Sequence, residues 1–436
     1  MSNPREDRWL RIIPVALLMY TISYVDRTNV SLALDPEISS MMRDLGMNDE
    51  RKGEAMGVFF FGYLLLQIPG GYLASRWSAR KVISIFLAAW GACAVGCGLC
   101  TTFGQFEVSR FFLGVAESGV FPATLVLLAN WFPRSERARA NALWNLCQPL
   151  AVAGTAPITA WLLGSFGWQK MVIIEGMLPF VWLPVWWLCI RDRPSEAAWI
   201  TAGEREYLER TLSQEAADQA SSAEDPARQG ARIGWGTVLV MLVIYFLHNC
   251  QAYGCMTFFS TELKGRGYSP VQHGILFALP YVVTAIVMVL NSWHSDRTGE
   301  RRGHVGVVYA LSGVSLILSV ALRGHFWASY VFLCLAIPGP FAAMGPFWAI
   351  PSECLPRAKA GLLIGLVNAF GCLGGYVGPK FVGRMSGALH DTAMPFQVLG
   401  AAMLVCAGMA FLLPRRQPDA AGAGGTPTAT GAGAAR

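Results

Sequence analysis

Charged residues are scarce in this chain. Lysine, arginine, aspartate and glutamate together make up 14% of its 436 residues, whereas hydrophobic residues make up 54%. A mean hydropathy of +0.42 and a total of 15 tryptophans imply more apolar surface than one or two soluble domains can bury. This composition excludes an ordinary soluble protein and predicts a chain that crosses a membrane many times.

Paired cysteines are also lacking. The 11 cysteines occur singly along the apolar segments, without the spacing typical of a metal site or a disulfide framework. We therefore expect no metal site and no cofactor, and the sequence shows no nucleophile beside a base that would indicate an enzyme. The net charge of +6 comes from basic residues in short polar segments, so we do not interpret it as a nucleic-acid-binding surface.

Twelve apolar windows are long enough to cross a bilayer as helices, which takes about 20 residues each. The first contains a charged pair and is longer than the apolar region of a signal peptide, so we expect it to be retained. The sequence therefore predicts an all-α integral membrane protein with 12 transmembrane helices. The windows cover approximately residues 10–34, 54–74, 82–101, 105–130, 138–164, 169–190, 236–262, 271–295, 304–322, 326–350, 357–383 and 392–414.

Basic residues are unevenly distributed between the two ends of these windows. With a cytoplasmic N-terminus, roughly 23 lysines and arginines fall in cytoplasmic segments and about eight fall outside, as the positive-inside rule requires. We therefore expect both termini to be cytoplasmic, in a plasma or bacterial inner membrane. The polar residues 191–235 are predicted to form a cytoplasmic linker, and the Gly/Ala/Thr-rich residues 417–436 a disordered tail.

Two regions of the sequence repeat each other. The segments "GYLASRWSARK" (71–81) and "SWHSDRTGERR" (292–302) align without a gap, and "FPRSERARANALWN" and "LPRAKAGLLIGLVN" place an asparagine at the same distance after a proline. Two repeats in the same order predict two pseudo-symmetric six-helix bundles, residues 1–190 and 236–416. The alternative is a chance match between basic loops.

These repeats resemble the major facilitator superfamily, whose two halves rock about a central site. That superfamily's loop motif, G-x-x-x-D-R-x-G-x-R-[RK], is well kept in the second repeat, but in the first Ser75 replaces the aspartate and Ser78 a glycine. By resemblance, this loop motif takes part in gating through Arg76, Arg80, Asp296, Arg297 and Arg301.

Four further segments are similar to the anion:cation symporter family within that superfamily. They are "YVDRTNVSLA", "QIPGG", "RFFLGVAESGVFP" and "NWFPRSERARANA". Bacterial members of that family carry sugar acids, tartrate, phthalate and related aromatic carboxylates. The resemblance therefore implies a transporter for a small organic anion.

Asp26, Arg27, Arg110 and Glu117 lie inside apolar windows one and four. A charge at membrane depth costs between ~2.5 and more than 10 kcal/mol, so such residues usually face a cavity and serve a function. At 1.5 Å per residue the two arginines lie about 10 and 8 Å below the outer helix ends, and Glu117 lies about 10 Å deeper than Arg110 on the same face. Asp26 and Arg27 are ~100° apart around one helix, so we expect them to contact different partners.

These side chains suit a proton-coupled anion carrier. Guanidinium groups bind carboxylates bidentately, and a buried acid beside an arginine gains a proton more readily once a substrate neutralises that arginine. By resemblance, Asp26 and Glu117 are the proton sites, and Arg27, Arg110 and Tyr63 bind the carboxylate. Further candidate substrate ligands, for which a packing role is a comparable alternative, are Gln148, Asn368, Tyr253, Trp348 and Ser352.

We therefore expect a monomeric secondary transporter in the lipid bilayer that takes up an organic carboxylate with protons. A sugar acid or hydroxy-dicarboxylate is favoured over an aromatic carboxylate. The alternatives are a uniporter or exchanger that uses the same arginines, a membrane sensor that binds the anion without moving it, and buried ion pairs with a purely structural role. Lys380 is expected either to snorkel outward or to supply a third cation.

Overall fold

Helices make up almost all of the structure, a computed structural model that describes residues 7–223, 234–263, 267–354 and 357–414. Within these residues there is no β-strand. The helices, in chain order, are α1 (Asp7–Ala33), α2 (Met41–Asp44), α3 (Asp49–Leu65), α4 (Gln67–Arg76), α5 (Ala79–Gly98), α6 (Phe103–Glu117), α7 (Val120–Trp131), α8 (Arg134–Asn145), α9 (Cys147–Phe166), α10 (Trp168–Gly176), α11 (Leu178–Cys189), α12 (Ala202–Ala223), α13 (Trp235–Phe258), α14 (Pro270–Thr298), α15 (Arg302–Ala321), α16 (Phe326–Ala336), α17 (Pro338–Cys354), α18 (Arg357–Leu389) and α19 (Ala393–Ala410).

Eleven segments of the described chain are helical, long and apolar enough to cross a membrane. The eleventh predicted window corresponds to a further helix, α18, which has 33 residues. With α18 included, six spans precede α12 and six follow it, which confirms the predicted all-α fold with 12 transmembrane helices. Large apolar side chains such as Ile68 and Leu188, both 76% exposed, lie on the outer surface, where lipid rather than water would surround them.

Several spans consist of two helices separated by a short break. In every case a proline follows the break within three residues. Proline lacks a backbone N–H and its ring clashes with the preceding helical turn, so the hydrogen-bonded ladder is interrupted just before it. The breaks are therefore local consequences of the sequence. The prolines concerned are Pro69, Pro122, Pro149, Pro179 and Pro338.

The two halves meet mainly along two helix pairs, α3 with α18 and α9 with α14. We call the side of the bundle on which α1 begins the near side, which the basic residues predict to be cytoplasmic, and the side on which α1 ends the far side. On the far side a Cβ on Gly53 of α3 would lie 2.3 Å from the carbonyl oxygen of Pro379. A Cβ on Gly274 of α14 would lie 2.7 Å from the Cβ of Ala160. Glycine therefore permits the close approach that closes the far side.

The predicted linker contains an ordered helix, α12, packed against the first half on the near side. Arg8 of α1 forms ion pairs with Glu204 of α12 at 2.5 Å and with Glu136 at 2.7 Å. Nearby, the indole rings of Trp131 and Trp199 stack with centroids 5.1 Å apart. The polar segment 191–235 therefore contains a docked helix as well as loop residues. The predicted disordered tail, 417–436, lies outside the described residues.

Candidate functional site

The four membrane-depth charges predicted from the sequence come together where α1 and α6 face each other. Asp26 and Arg27 of α1 are each 3% exposed, and Arg110 and Glu117 of α6 are each 1% exposed. The close packing of α6 on α3 depends on Gly114, because a Cβ there would lie 2.0 Å from the carbonyl oxygen of Phe59. Helix packing thus places all four charges in one buried cluster.

Arg27 lies at the junction of the two halves. Its Nη2 donates to Oε2 of Glu117 at 3.1 Å, and the hydroxyl of Ser23 donates to the same oxygen at 2.7 Å. Its Nη1 lies 3.4 Å from the hydroxyl of Tyr253, which belongs to α13 in the second half. Arg27 therefore connects the acid of α6 with the opposite half of the protein.

Aromatic rings surround the Arg27 guanidinium. Its central carbon lies 4.7 Å from the ring centroid of Tyr24, 5.0 Å from that of Phe59, 4.9 Å from that of Tyr63 and 5.9 Å from that of Phe60. Ring faces attract a cation within about 6 Å and keep water away from it. Tyr63, predicted as a carboxylate ligand, is thus directly beside Arg27.

The hydrogen-bond partners of Arg110 and Asp26 differ from those of Arg27. Arg110 Nη1 donates to the backbone carbonyl of Asp26 at 3.1 Å, and the Asp26 carboxylate accepts a hydrogen bond from the indole N–H of Trp90 on α5. The prediction that Asp26 and Arg27 contact different partners is confirmed. The guanidinium of Arg110 also contacts the Phe59 ring, at 4.9 Å, so Phe59 packs against both arginines.

Several atoms of this cluster have no hydrogen-bond partner among the described residues. They are Nε of Arg27, Nε of Arg110 and Oε1 of Glu117. In folded proteins the great majority of buried polar atoms have a hydrogen-bond partner, and each exception requires an explanation. Arg27, which contacts the second half, and its partner Glu117 therefore have spare hydrogen-bonding capacity suited to a polar ligand.

Neutral amides span the two halves beside this cluster. Asn368 of α18 donates to Oε1 of Gln67 at 2.6 Å, and Gln67 donates to the sulfur of Cys372 at 3.0 Å. Gln148, the other predicted amide, donates to Oδ1 of Asn145 within the first half at 3.1 Å. Asn368 is therefore at the interface between the halves, and Gln148 contacts its own half.

The predicted residues of the second half occupy different positions. Tyr253 packs on Phe60 with ring centroids 4.1 Å apart, directly across from the first half. Trp348 packs edge-on against Tyr245 at 4.9 Å, within the second half. Ser352 belongs to α17, but its side chain lies outside the described part of the chain.

The loop motif of the first repeat is bound to the end of α11. Arg80 donates to the carbonyl of Trp187, and its guanidinium lies 4.0 Å from that residue's ring. Ser75, which replaces the motif's aspartate, donates to the carbonyl of Tyr72 at 2.8 Å. Arg76 lies over the Tyr72 ring at 5.7 Å. All these contacts are within the first half.

The loop motif of the second repeat contains an ion pair of its own. Arg301 pairs with Asp296 at 2.6 Å and donates to the hydroxyl of Ser295 at 3.0 Å. Arg297 lies over the ring of Trp293 at 5.2 Å. The gating role of either loop stays a prediction.

Lys380 lies on the far side, and its expected role, either to snorkel outward or to supply a third cation, stays a prediction. Its ammonium lies 3.3 Å from Oε1 of Glu54 on α3 and 3.3 Å from the hydroxyl of Tyr376. It therefore forms an ion pair between the halves on the far side, away from Arg27.

A second buried cluster, which the sequence did not reveal, connects the halves on the far side. Oδ2 of Asp35, just after α1, lies 3.3 Å from Nε2 of His273 on α14 and accepts a hydrogen bond from Ser260. Ser260 is also 2.6 Å from the same His273 nitrogen. Burial alone raises the pKa of Asp35, but the hydrogen bonds from His273 and Ser260 and the charge of His273 lower it by more. We call these three residues the far-side cluster.

One buried carboxyl was also missed. Glu175 of α10 accepts a hydrogen bond from Thr159 at 2.6 Å, and its Oε2 has no partner among the described residues. A single carboxylate inside an apolar window was the available signal, but no motif marked it.

Comparison with known proteins identifies the family. A family model described as Major Facilitator Superfamily matches residues 16–379. The chain belongs to the Major Facilitator Superfamily. It is therefore a multi-pass membrane transporter and not an enzyme, as the sequence predicted.

Individual relatives cover nearly the whole chain. A protein described as a putative tartrate transporter of Agrobacterium vitis is 29% identical over 431 residues, covering 96% of this chain and 94% of that protein. A quinolone resistance transporter of Acinetobacter baumannii is 30% identical over 416 residues, covering 90% and 91% of the two chains. The partially occluded inward-open structure of the xylose transporter XylE from E. coli superposes with a TM-score of 0.74 at 15% identity, covering 94% and 98%. That likeness concerns the fold alone.

Proposed function

We propose that this transporter carries a small organic anion into the cell together with protons. The observation that supports this most directly is the position of Arg27, a buried guanidinium held between the carboxylate of Glu117 and the opposite half of the protein. A relative described as a tartrate transporter is consistent with such a substrate. The candidates favoured by the sequence are sugar acids and hydroxy-dicarboxylates, followed by aromatic carboxylates.

Coupling to protons follows from competition for Arg27. A substrate carboxylate that binds this guanidinium must displace Glu117, which lies 3.1 Å away. The displaced carboxylate would be buried and without a cation, so it takes up a proton instead. Because linkage is reciprocal, a proton on Glu117 also strengthens binding of the anion. Asp26, held by Trp90 and beside Arg110, is the second proposed proton site.

Alternating access is proposed from the way the halves meet. The far side is closed by glycine contacts and by the far-side cluster, whose members come from both halves. Loading from the far side requires these contacts to separate, after which the near side would close. In this proposal the near side is cytoplasmic, both termini are cytoplasmic, and a monomer in the inner membrane suffices.

Transport in proteoliposomes tests the proposal. The purified chain should accumulate a carboxylate found by a thermal-shift screen of organic acids, and an inward proton gradient should drive it. Arg27→Lys should abolish this uptake, because an ammonium does not reproduce the bidentate contact. The matched control is Arg384→Lys, since Arg384 pairs with Glu50 at the exposed far edge. Normal uptake by Arg27→Lys, or accumulation that ignores the proton gradient, would contradict the proposal and favour a uniporter or exchanger.

A further inference from the structure

We infer that the site holds its substrate through a single carboxylate, so that monocarboxylates bind more tightly than dicarboxylates of the same skeleton. This inference rests on the proposed function and narrows its substrate class. It depends on which charged groups face the junction of the halves and on what surrounds them.

The second half supplies no cation to this junction within the described residues. Helices α13 and α17 contain no lysine or arginine at all. The cations in the far-side part of α18 are already paired across the interface, Lys380 with Glu54 at 3.3 Å and Arg384 with Glu50 at 3.1 Å. Opposite Arg27 the second half instead presents the hydroxyl of Tyr253. The amide of Asn368 crosses the interface to Gln67 of the first half.

Arg110, the other arginine of the cluster, is turned away from the second half. It is 1% exposed and donates to the backbone carbonyl of Asp26. The ring of Phe59 packs against it, and the same ring packs against Arg27. A ligand bound between the halves therefore meets Arg27, while Arg110 stays behind α1 and Phe59.

The charge balance of the cluster leads to the same conclusion. Two guanidiniums, Arg27 and Arg110, are matched by two carboxyls, Asp26 and Glu117. One substrate carboxylate can replace Glu117 at Arg27 once Glu117 has taken up a proton. A second ionised carboxylate would be buried against aromatic rings and neutral amides, and an unpaired buried charge is strongly unfavourable.

The uncharged groups at the interface of the halves suit an uncharged end of the substrate. The amides of Gln67 and Asn368 can exchange hydrogen bonds with hydroxyls, and the Tyr253 ring offers an apolar face beside Phe60. Both a sugar monoacid and an aromatic monocarboxylate match this arrangement, whereas a hydroxy-dicarboxylate, favoured by the sequence alone, does not.

Equilibrium binding to the purified full chain tests the inference with matched pairs of acids. Suitable pairs are gluconate with glucarate and benzoate with terephthalate, measured by calorimetry at pH 7.5, where free carboxyls are ionised. In the pair that binds, we expect the monocarboxylate to bind at least about tenfold more tightly, since each tenfold corresponds to ~1.4 kcal/mol of lost pairing. If the dicarboxylate binds as tightly as the monocarboxylate or more tightly, and Arg27→Lys abolishes that binding, this inference is overturned and the proposed function stays intact. If no carboxylate of a broad panel binds, both are overturned.

A designed variant supplies a second measurement. Asn368→Lys places a second cation on the second half, at the interface with Gln67. It should shift the preference toward the dicarboxylate of the pair, whereas Asn368→Gln should not. If the lysine variant leaves the ratio of the two affinities unchanged, the missing second cation does not determine substrate charge. Arg110→Lys should weaken both members of the pair in the same proportion, and a selective loss of the dicarboxylate would also overturn the inference.

Discussion

Replacing His273 by leucine should open the far side of the transporter. In the far-side cluster the Asp35 carboxylate is ionised and can only accept hydrogen bonds, so Ser260 donates its single proton to it. The His273 nitrogen 2.6 Å from Ser260 must then carry a hydrogen that it donates to that hydroxyl or to Asp35. His273→Leu removes this donor and leaves a 0% exposed carboxylate with a weaker set of partners.

The size of the effect follows from the burial of the cluster. Removing one partner of a buried charged pair costs about 3–5 kcal/mol, and because Ser260 remains we expect the lower end of that range. A shift of ~3 kcal/mol changes the ratio of closed to open far side by roughly 150-fold. Amide hydrogen exchange of the peptides that contain Asp35 and Ser260 measures this opening directly.

Two variants control this experiment. His273→Gln retains a side-chain N–H donor without an imidazole, so it should restore most of the protection. Glu54→Gln breaks the half-exposed pair with Lys380 at the same interface and should cost less than ~1 kcal/mol. If exchange near Asp35 rises no more in His273→Leu than in Glu54→Gln, the far-side cluster does not hold the halves together and the reasoning fails.

Three further predictions follow from the same contacts. Glu117→Gln mimics the protonated acid permanently, so this variant should lose accumulation driven by a proton gradient yet retain substrate counterflow. Gradient-driven uptake at the wild-type level would exclude Glu117 as the coupling acid. Because the pKa of Asp35 is lowered, its stabilisation of the closed far side in the wild-type protein should persist above about pH 4 and vanish only as the pH falls through that lowered pKa. A loss of wild-type protection near Asp35 as the pH falls from about 6 to about 5 would contradict this. Arg8→Ala leaves Glu204 buried without its cation and should release α12, at a cost of about 3–5 kcal/mol. Amide hydrogen exchange in residues 202–217 should then become faster, whereas unchanged protection would show that the stacked tryptophans suffice to hold α12 in place.

The sequence by itself determined the spans and where they break. A backbone in lipid must satisfy its hydrogen bonds internally, so each long apolar window becomes a helix whatever its neighbours are. The breaks before Pro69 and Pro122 are equally local, since each arises from one residue's missing N–H. Because charge is scarce in the apolar windows, the sequence alone also marks Arg27 and Glu117 as functional candidates.

Only the tertiary structure decided which partner each charge meets. Arg27 and Glu117 are 90 residues apart in the chain, and whether they pair depends on the rotation and depth of two helices, to within an ångström or two. The same dependence turned Arg110 toward the backbone of Asp26 and assembled Asp35, Ser260 and His273 into one cluster, although each looked like an ordinary helix-end residue in sequence. Hydrophobic patterning specifies that a helix crosses the membrane, but lipid contacts are nearly uniform around it, so its rotation is selected by side-chain packing against the neighbouring helices.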